Sequence, residues 1–503
     1  MVVTGSMHFF NYLTSEFTLV CIVLLPFISA SLILMLKKIR HSQEIISITS
    51  SCTLFYMILK AYKFYTKHNS ELYIKLYEFI NPKIYLAFKA EILSMIFSLL
   101  ASFLWIITTI YSISYMKNND NNNKKQSLFY TCFSISIGCT MGIAFSANLL
   151  TLFIFYELLT ISTYPLITYY INDQSQISGR YYIGILLGTS MLLFLPAIII
   201  TYNISGTLDF TTNGILPDNI SNPLLITLLL LFIYGVGKAA LMPIHLWLPQ
   251  AMVAPTPVSA LLHAVAVVKS GVFTIIKILL YIIGLKNLNT VQEHYNILTY
   301  ISGATIILAS LVAIKQTNLK KLLAYSTISQ LSYIIIAASL YTEYAIKVSM
   351  FQMISHAFAK ITLFFTAGAI YTKTGKKYLH ELHGIGKSMP ITMIAFSIGA
   401  IAMIGIPPSP TFYGKFLIIS EALQQKNFLV IVILILSTVL NTMYFLPIIY
   451  NAFSTSHSFK YAEAPLPMLI AIIITATCTL LLFIIQYIIF STIDDFLQSI
   501  FKA

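Results

Sequence analysis

Charge is what this sequence has least of. Only 9% of its 503 residues are Asp, Glu, Lys or Arg, against about 25% in an ordinary soluble domain, while 58% are hydrophobic. No soluble fold of this length has an interior large enough to hide so much apolar surface. Cysteine is also sparse: Cys21, Cys52, Cys132, Cys139 and Cys478 are scattered through apolar stretches. They form no CxxC pair and no ligand spacing, which argues against iron–sulfur or zinc sites on this chain. Neither GxGxxG nor a Walker motif occurs, so no nucleotide cofactor is expected, and no metal either. Acidic residues are few, 17 against 30 Lys and Arg, for a net charge of +13. In a soluble protein that excess would suggest nucleic acid. Here the basic residues gather in short loops between apolar runs, which is how a membrane protein retains loops on one side.

Apolar runs near twenty residues long recur along the whole chain, and about 20 helical residues match a hydrocarbon core about 30 Å thick. The runs are continuous and do not alternate, which disfavours a β-barrel. The expected fold is an all-α membrane protein of about fourteen transmembrane helices. The fourth and fifth segments (127–147 and 149–169) are separated only around Asn148, the weakest boundary. The seventh, eighth and twelfth fall at 224–248, 258–284 and 391–421. The first, starting near Phe17, lacks a small-residue cleavage site and reads as a retained helix. Loops after odd-numbered segments carry Lys37, Lys38 and Arg40, then Lys117, Lys124 and Lys125, then Arg180. Later ones carry Lys315, Lys320 and Lys321, then Lys373, Lys376, Lys377 and Lys387. Even-numbered loops are poor in Lys and Arg apart from the long stretch between Lys63 and Lys89. The odd loops are therefore expected on the cytoplasmic or matrix side.

Several ionisable residues lie far from any segment end. They are Glu157, Lys238, His263, Lys269, His356, Lys360 and Lys415. A charge at mid-bilayer costs about 2.5–3.5 kcal/mol on insertion scales, so each needs a partner, water or a function. His356 and Lys360, four apart, share one helix face. A structural ion pair explains any one of these residues, but not the set, which resembles a proton relay. Lys277, near the end of its segment, reads instead as a lysine snorkelling to the headgroups. Two segments are expected to break, one at Pro243 and one at Pro407 and Pro408, because proline removes a helix hydrogen bond. Broken helices in corresponding places of two halves suggest two inverted five-helix repeats. The chain then divides into 1–126, with three helices, repeats at 127–285 and 297–453, and a last helix in 465–503.

The run KAALMPIHLWLPQAMVAPTPVSALLHAVAVVKSGVF is similar to the signature shared by antiporter-like subunits of respiratory complex I and Mrp-type cation/proton antiporters. FYELLTISTYPL, LKKLLAYSTISQLSY, SHAFAKITLFFTAG and GIPPSPTFYGKF follow the same family's order. The resemblance implies that Glu157 and Lys238 form a glutamate–lysine pair. It makes His263, Lys269, His356 and Lys360 a central hydrophilic axis, and Lys415 the group exchanging protons with the outer side. HAVAVVKSG with FYGKF looks most like the MrpD type of antiporter subunit. The large distal subunit of complex I carries extra C-terminal helices, whereas this sequence ends about thirteen residues after its fourteenth segment. The implied partners are other membrane subunits of a hetero-oligomeric antiporter or complex I-like assembly, with protons and Na+ as cargo. The implied location is a bacterial inner membrane, or else the mitochondrial inner membrane. A redox-driven pump subunit is the alternative. A scaffold that transports nothing has no reason to keep these buried charges.

Overall fold

The computed structural model describes residues 2–39, 41–68, 72–79, 84–120, 123–294, 296–454 and 461–491. Among them, eleven helices are long and apolar enough to cross a membrane. The first half holds α1 (Val2–Met35), α2 (Ser42–His68), α3 (Ile92–Asn119), α4 (Asn123–Phe145) and α5 (Leu149–Ile167). Next, α6 (Asp173–Thr189) runs through a π-helical turn into α7 (Leu195–Ser205), making one span. Then come α8 (Asn222–Gly235), α9 (Trp247–Gln250), α10 (Thr256–Ala264), α11 (Val267–Lys277) and α12 (Leu285–His294). The second half holds α13 (Ile297–Ile314), α14 (Leu319–Ala338), α15 (Glu343–Thr374), α16 (Ile385–Ser388) and α17 (Pro390–Ile404). It ends with α18 (Pro410–Gln424), α19 (Phe428–Phe453) and α20 (Leu466–Ile484). Exposed Leu24, Ile28, Ile161, Leu192, Ile435 and Ile473 give the bundle an apolar outer surface suited to lipid.

The three expected segments missing from the eleven are broken ones. The seventh ends as a helix at Gly235, well before Pro243, and its chain turns irregularly as far as Leu246. The twelfth breaks between α17 and α18, at Gly405 to Ser409, where Pro407 and Pro408 stand. The eighth also breaks, between α10 and α11, where two breaks in all were expected. Val265 N and Ala266 N both donate to Leu261 O, at 3.0 and 2.8 Å, and neither residue is proline or glycine. The boundary at Asn148 is sharp, because its side chain caps α5 by accepting from Thr151 N at 2.8 Å.

Contacts between loops sort the bundle's two ends. On one, Lys117 pairs with Glu44 at 3.3 Å and Asn119 Nδ2 donates to Thr372 Oγ1 at 2.9 Å. Leu319 N donates to Lys377 O, and Gly384 N to Asn451 O, both at 3.0 Å. All join loops that follow odd-numbered segments. At the other end Ala147 N donates to Ala87 O, Phe210 N to Ala147 O, and Gln425 Nε2 to Leu340 O. These join loops after even-numbered segments. The alternation seen in the charges is thus physically the two faces of the bundle.

One departure from an all-helical chain occurs on the even-loop face. The stretch between α2 and α3, expected as a plain loop, forms an antiparallel hairpin of β1 (Leu72–Glu78) and β2 (Tyr85–Ala90). Tyr85 Oη donates to Asp209 Oδ1 at 2.6 Å, fastening the hairpin to the loop after α7. Burial, and then that carboxylate, push the Tyr85 phenol well above its usual range.

Candidate functional site

Helix α15 lies at the centre, packed against α3, α10, α14, α17, α18 and α20. Gln352, His356 and Lys360, spaced by four, put three polar side chains on one of its faces, and all are fully buried. The other candidate groups approach this face from the broken segments.

Lys238 sits in the irregular turn after α8, with no exposure. Its Nζ donates to Tyr156 O and Thr160 Oγ1, both at 2.7 Å, and stands 3.1 Å from the centre of the Tyr156 ring. The turn's backbone groups find partners elsewhere: Lys238 N donates to Tyr156 Oη, Met242 N to Thr305 Oγ1, and Trp247 Nε1 to Gly237 O. Such pairing lets unwound backbone survive at membrane depth. Gly271 on α11 makes room for the turn. A Cβ there would come within 2.4 Å of Ala239 N and 2.5 Å of Lys238 C.

The expected Glu157–Lys238 ion pair is not formed. Both carboxylate oxygens of Glu157 lack a hydrogen-bond partner among the described residues, and its side chain is almost completely buried. It neighbours Tyr156, whose carbonyl holds the lysine, so the two charges remain within electrostatic reach. Main-chain and hydroxyl oxygens have taken the place that charge-pairing logic assigns to the carboxylate.

On the central face, Lys269 Nζ lies 2.6 Å from His356 Nδ1. Lys360 Nζ donates to Ser326 Oγ at 3.0 Å and Leu323 O at 3.2 Å. Ser326 Oγ is 3.2 Å from Tyr444 Oη, which donates to Asn441 Oδ1 at 2.5 Å. Asn441 Nδ2 donates to Met403 O at 3.4 Å. Met403 and Ile404 end α17, and their carbonyls accept Lys415 Nζ at 3.5 and 2.8 Å. A broken polar ladder therefore runs from Lys360 to Lys415. The carbonyl end of a helix carries partial negative charge, which suits a cation. Gly405, with φ +84°, turns the chain there, and a Cβ would press on Lys415 at 3.0 Å.

The structure thus brings Lys269, His356, Lys360 and Lys415 into one buried system, with Lys238 and Glu157 on its flank. His263 lies on α10 in the backbone trace, and its side chain falls outside the described residues. Ser326, Tyr444, Asn441, Tyr156 and Thr160 escaped the sequence reading, since only their packing gives them a role. Asn441 and Tyr444, three apart in an otherwise apolar segment, were the one available signal.

Lys277 departs from expectation. It is fully buried, and its Nζ donates to Ser146 O at 2.7 Å, with the Phe210 ring 4.5 Å away. The helix end does not reach solvent there, because Ser146 and the loop carrying Phe210 cover it. The snorkelling assignment is therefore wrong.

Residues 146–441 match the family described as NADH:quinone oxidoreductase/Mrp antiporter, TM. The chain is 29% identical over 374 residues to NADH-quinone oxidoreductase subunit N of Desulforudis audaxviator, covering 73% of each chain. It is 29% identical over 418 residues to a Na(+)/H(+) antiporter subunit of Alkalihalophilus pseudofirmus, covering 76% of this chain and 50% of that one. Against a chloroplast NAD(P)H-quinone oxidoreductase subunit 5 from Lotus japonicus it spans about half the relative's length, 48%. In fold it is similar to a chain of the archaeal membrane-bound sulfane sulfur reductase. The TM-score there is 0.86 at 22% identity, over 96% of this chain and 97% of the other. It is likewise similar to a chain of the Mrp complex from Dietzia sp. DQ12-45-1b, with a TM-score of 0.84 at 17% identity and the same coverage.

Proposed function

The chain belongs to the NADH:quinone oxidoreductase/Mrp antiporter transmembrane family, and on that footing we propose that it carries protons across the bilayer as one member of a multisubunit complex. The observation that carries this reading is the ladder from Lys360 through Ser326, Tyr444 and Asn441 to Lys415. A lysine buried in a low dielectric holds its proton weakly enough to pass it on, provided that neighbouring groups accept it. Protons arrive at Lys238, whose occupancy Glu157 tunes, and pass by Lys269 and His356 to Lys360. Lys415 delivers them to the even-loop face. His263 belongs to the same axis. The repeats at 127–285 and 297–453 each supply one broken helix for this path.

The complex is of the Mrp type, exchanging Na+ for protons in a bacterial inner membrane, with this chain in the place of MrpD. Likeness to an antiporter subunit and to a chain of an Mrp complex supports this reading. The second reading is a proton-pumping subunit of a complex I-type enzyme in a bacterial or mitochondrial inner membrane, favoured by similarity to subunit N over most of both chains. Purified complex in sealed vesicles separates them. Proton movement driven by a sodium gradient alone is the result expected. Movement only on oxidation of NADH with quinone present selects the second reading, and an absence of both defeats proton transport.

Glu157→Gln keeps the side chain's shape and removes its charge. Because Glu157 is not in an ion pair, thermal stability is expected to stay near that of the parent. Proton flux should fall and its pH profile should move, with Glu157→Asp milder. A fall in stability with an unmoved profile would restore the static ion pair as the better account.

A further inference from the structure

Lys277 is a buried cation that the path above does not use. Its setting repeats that of Lys415. Lys415 lodges on the terminal carbonyls of α17, and Lys277 lodges on Ala144 O and Ser146 O at the end of α4, at 3.5 and 2.7 Å. It stands on the same face of α11 as Lys269, eight residues on, about 12 Å along the axis. Between them, Ser270 and Thr274 turn fully buried hydroxyls to that side, neither with a hydrogen-bond partner among the described residues.

Where Lys277 ends, a second buried charge begins. Glu91, just before α3, is only 3% exposed. One of its oxygens pairs with Lys89 at 3.3 Å, while Oε2 has no partner among the described residues. Lys89 and Glu91 are the charged groups that act on Lys277, and the Phe210 and Phe273 rings close its other sides. Phe97 of α3 stacks on Phe273 at 4.6 Å, which fixes α3 beside this part of α11. Lys89 is part-exposed on β2, so the cluster reaches the even-loop surface.

We propose that Lys277 and Glu91 form a second proton-exchange station, linking the Lys269 end of α11 to the even-loop face independently of Lys415. The station rests on the proton-transport reading and gives the central axis two outlets on one side of the membrane. Glu91 receives the proton that Lys277 gives up and hands it to water beside Lys89. A lysine that merely braced the end of α4 would need no buried carboxylate with an open oxygen beside it.

The test replaces the chain's five cysteines with serine, adds Lys277→Cys and assembles the complex in vesicles of known orientation. An aminoethyl methanethiosulfonate reagent then forms a disulfide with the new thiol. Methanesulfinate leaves, and a primary ammonium is rebuilt at the site. Lys277→Cys is expected to slow proton flux about tenfold. The aminoethyl reagent, added from the even-loop side, should restore most of the rate, and an uncharged methyl reagent should not. Glu91→Gln, which needs no labelling, should slow flux similarly with unchanged melting. Normal flux in both variants, labelling from the odd-loop side only, or melting losses without any flux change overturns the station. Should the parent complex carry no protons, the transport reading fails instead, while the side from which the thiol is labelled still tests whether this outlet exists.

Discussion

Lys415→Ala is expected to lower proton flux through the assembled complex by about a hundredfold, the scale lost when a group that relays protons is removed. Membrane abundance should stay near that of the parent, because deleting a buried cation relieves about 2.5–3.5 kcal/mol of insertion cost. The carbonyls it leaves are not stranded: Met403 O still accepts from Asn441 Nδ2 and from Gln330 Nε2, both at 3.4 Å. Lys415→Arg is the sharper control. Arginine keeps the positive charge and can bond the same carbonyls, yet it does not release a proton in a protein. It should therefore be nearly as inactive as alanine. If arginine supported flux at the parent's rate, Lys415 would be a structural cation.

Gly271→Val should damage both stability and transport. Its Cβ would meet the backbone of Ala239 and Lys238 at 2.4–2.5 Å, and main chain cannot swing aside as the tip of a side chain can. Overpacking of this kind costs about 1–3 kcal/mol or more, and here the atoms displaced carry Lys238 away from Tyr156 and Thr160. Gly271→Ala should have the same sign with a smaller loss. Melting of the detergent-purified complex, together with proton flux, reads both effects. A valine variant that melts and transports like the parent would contradict the close approach of this turn to α11.

Much of this was legible in the sequence. Segment positions follow from apolar length, and Asn148 marked a real boundary because an Asn side chain can cap the helix after it. Lysine counts in the loops gave the two faces that the loop contacts confirm. His356 and Lys360 shared a face for no reason beyond helical periodicity. What the sequence concealed was who holds each charge. Charge-pairing logic joined Glu157 to Lys238, because a carboxylate is the obvious partner for an ammonium. The carbonyl of Tyr156 took that place, and no residue letter reports a carbonyl. The break at Val265 and Ala266 carries no proline or glycine, so local propensity is silent there. Lys277 was misjudged for a different reason. A lysine near a helix end reaches headgroups only if nothing roofs the end, and that roof comes from residues more than sixty positions away.

The carbonyl seats of Lys238, Lys277, Lys360 and Lys415 have a further consequence for energetics. In a buried salt bridge, a lysine that gives up its proton strands a naked carboxylate, and the penalty for that orphan opposes every departure. Peptide dipoles carry no formal charge, so a lysine seated on them can become neutral and leave nothing behind but ordinary hydrogen-bond acceptors. Each seat therefore empties to electrical neutrality, and the interior can idle uncharged between one passage and the next.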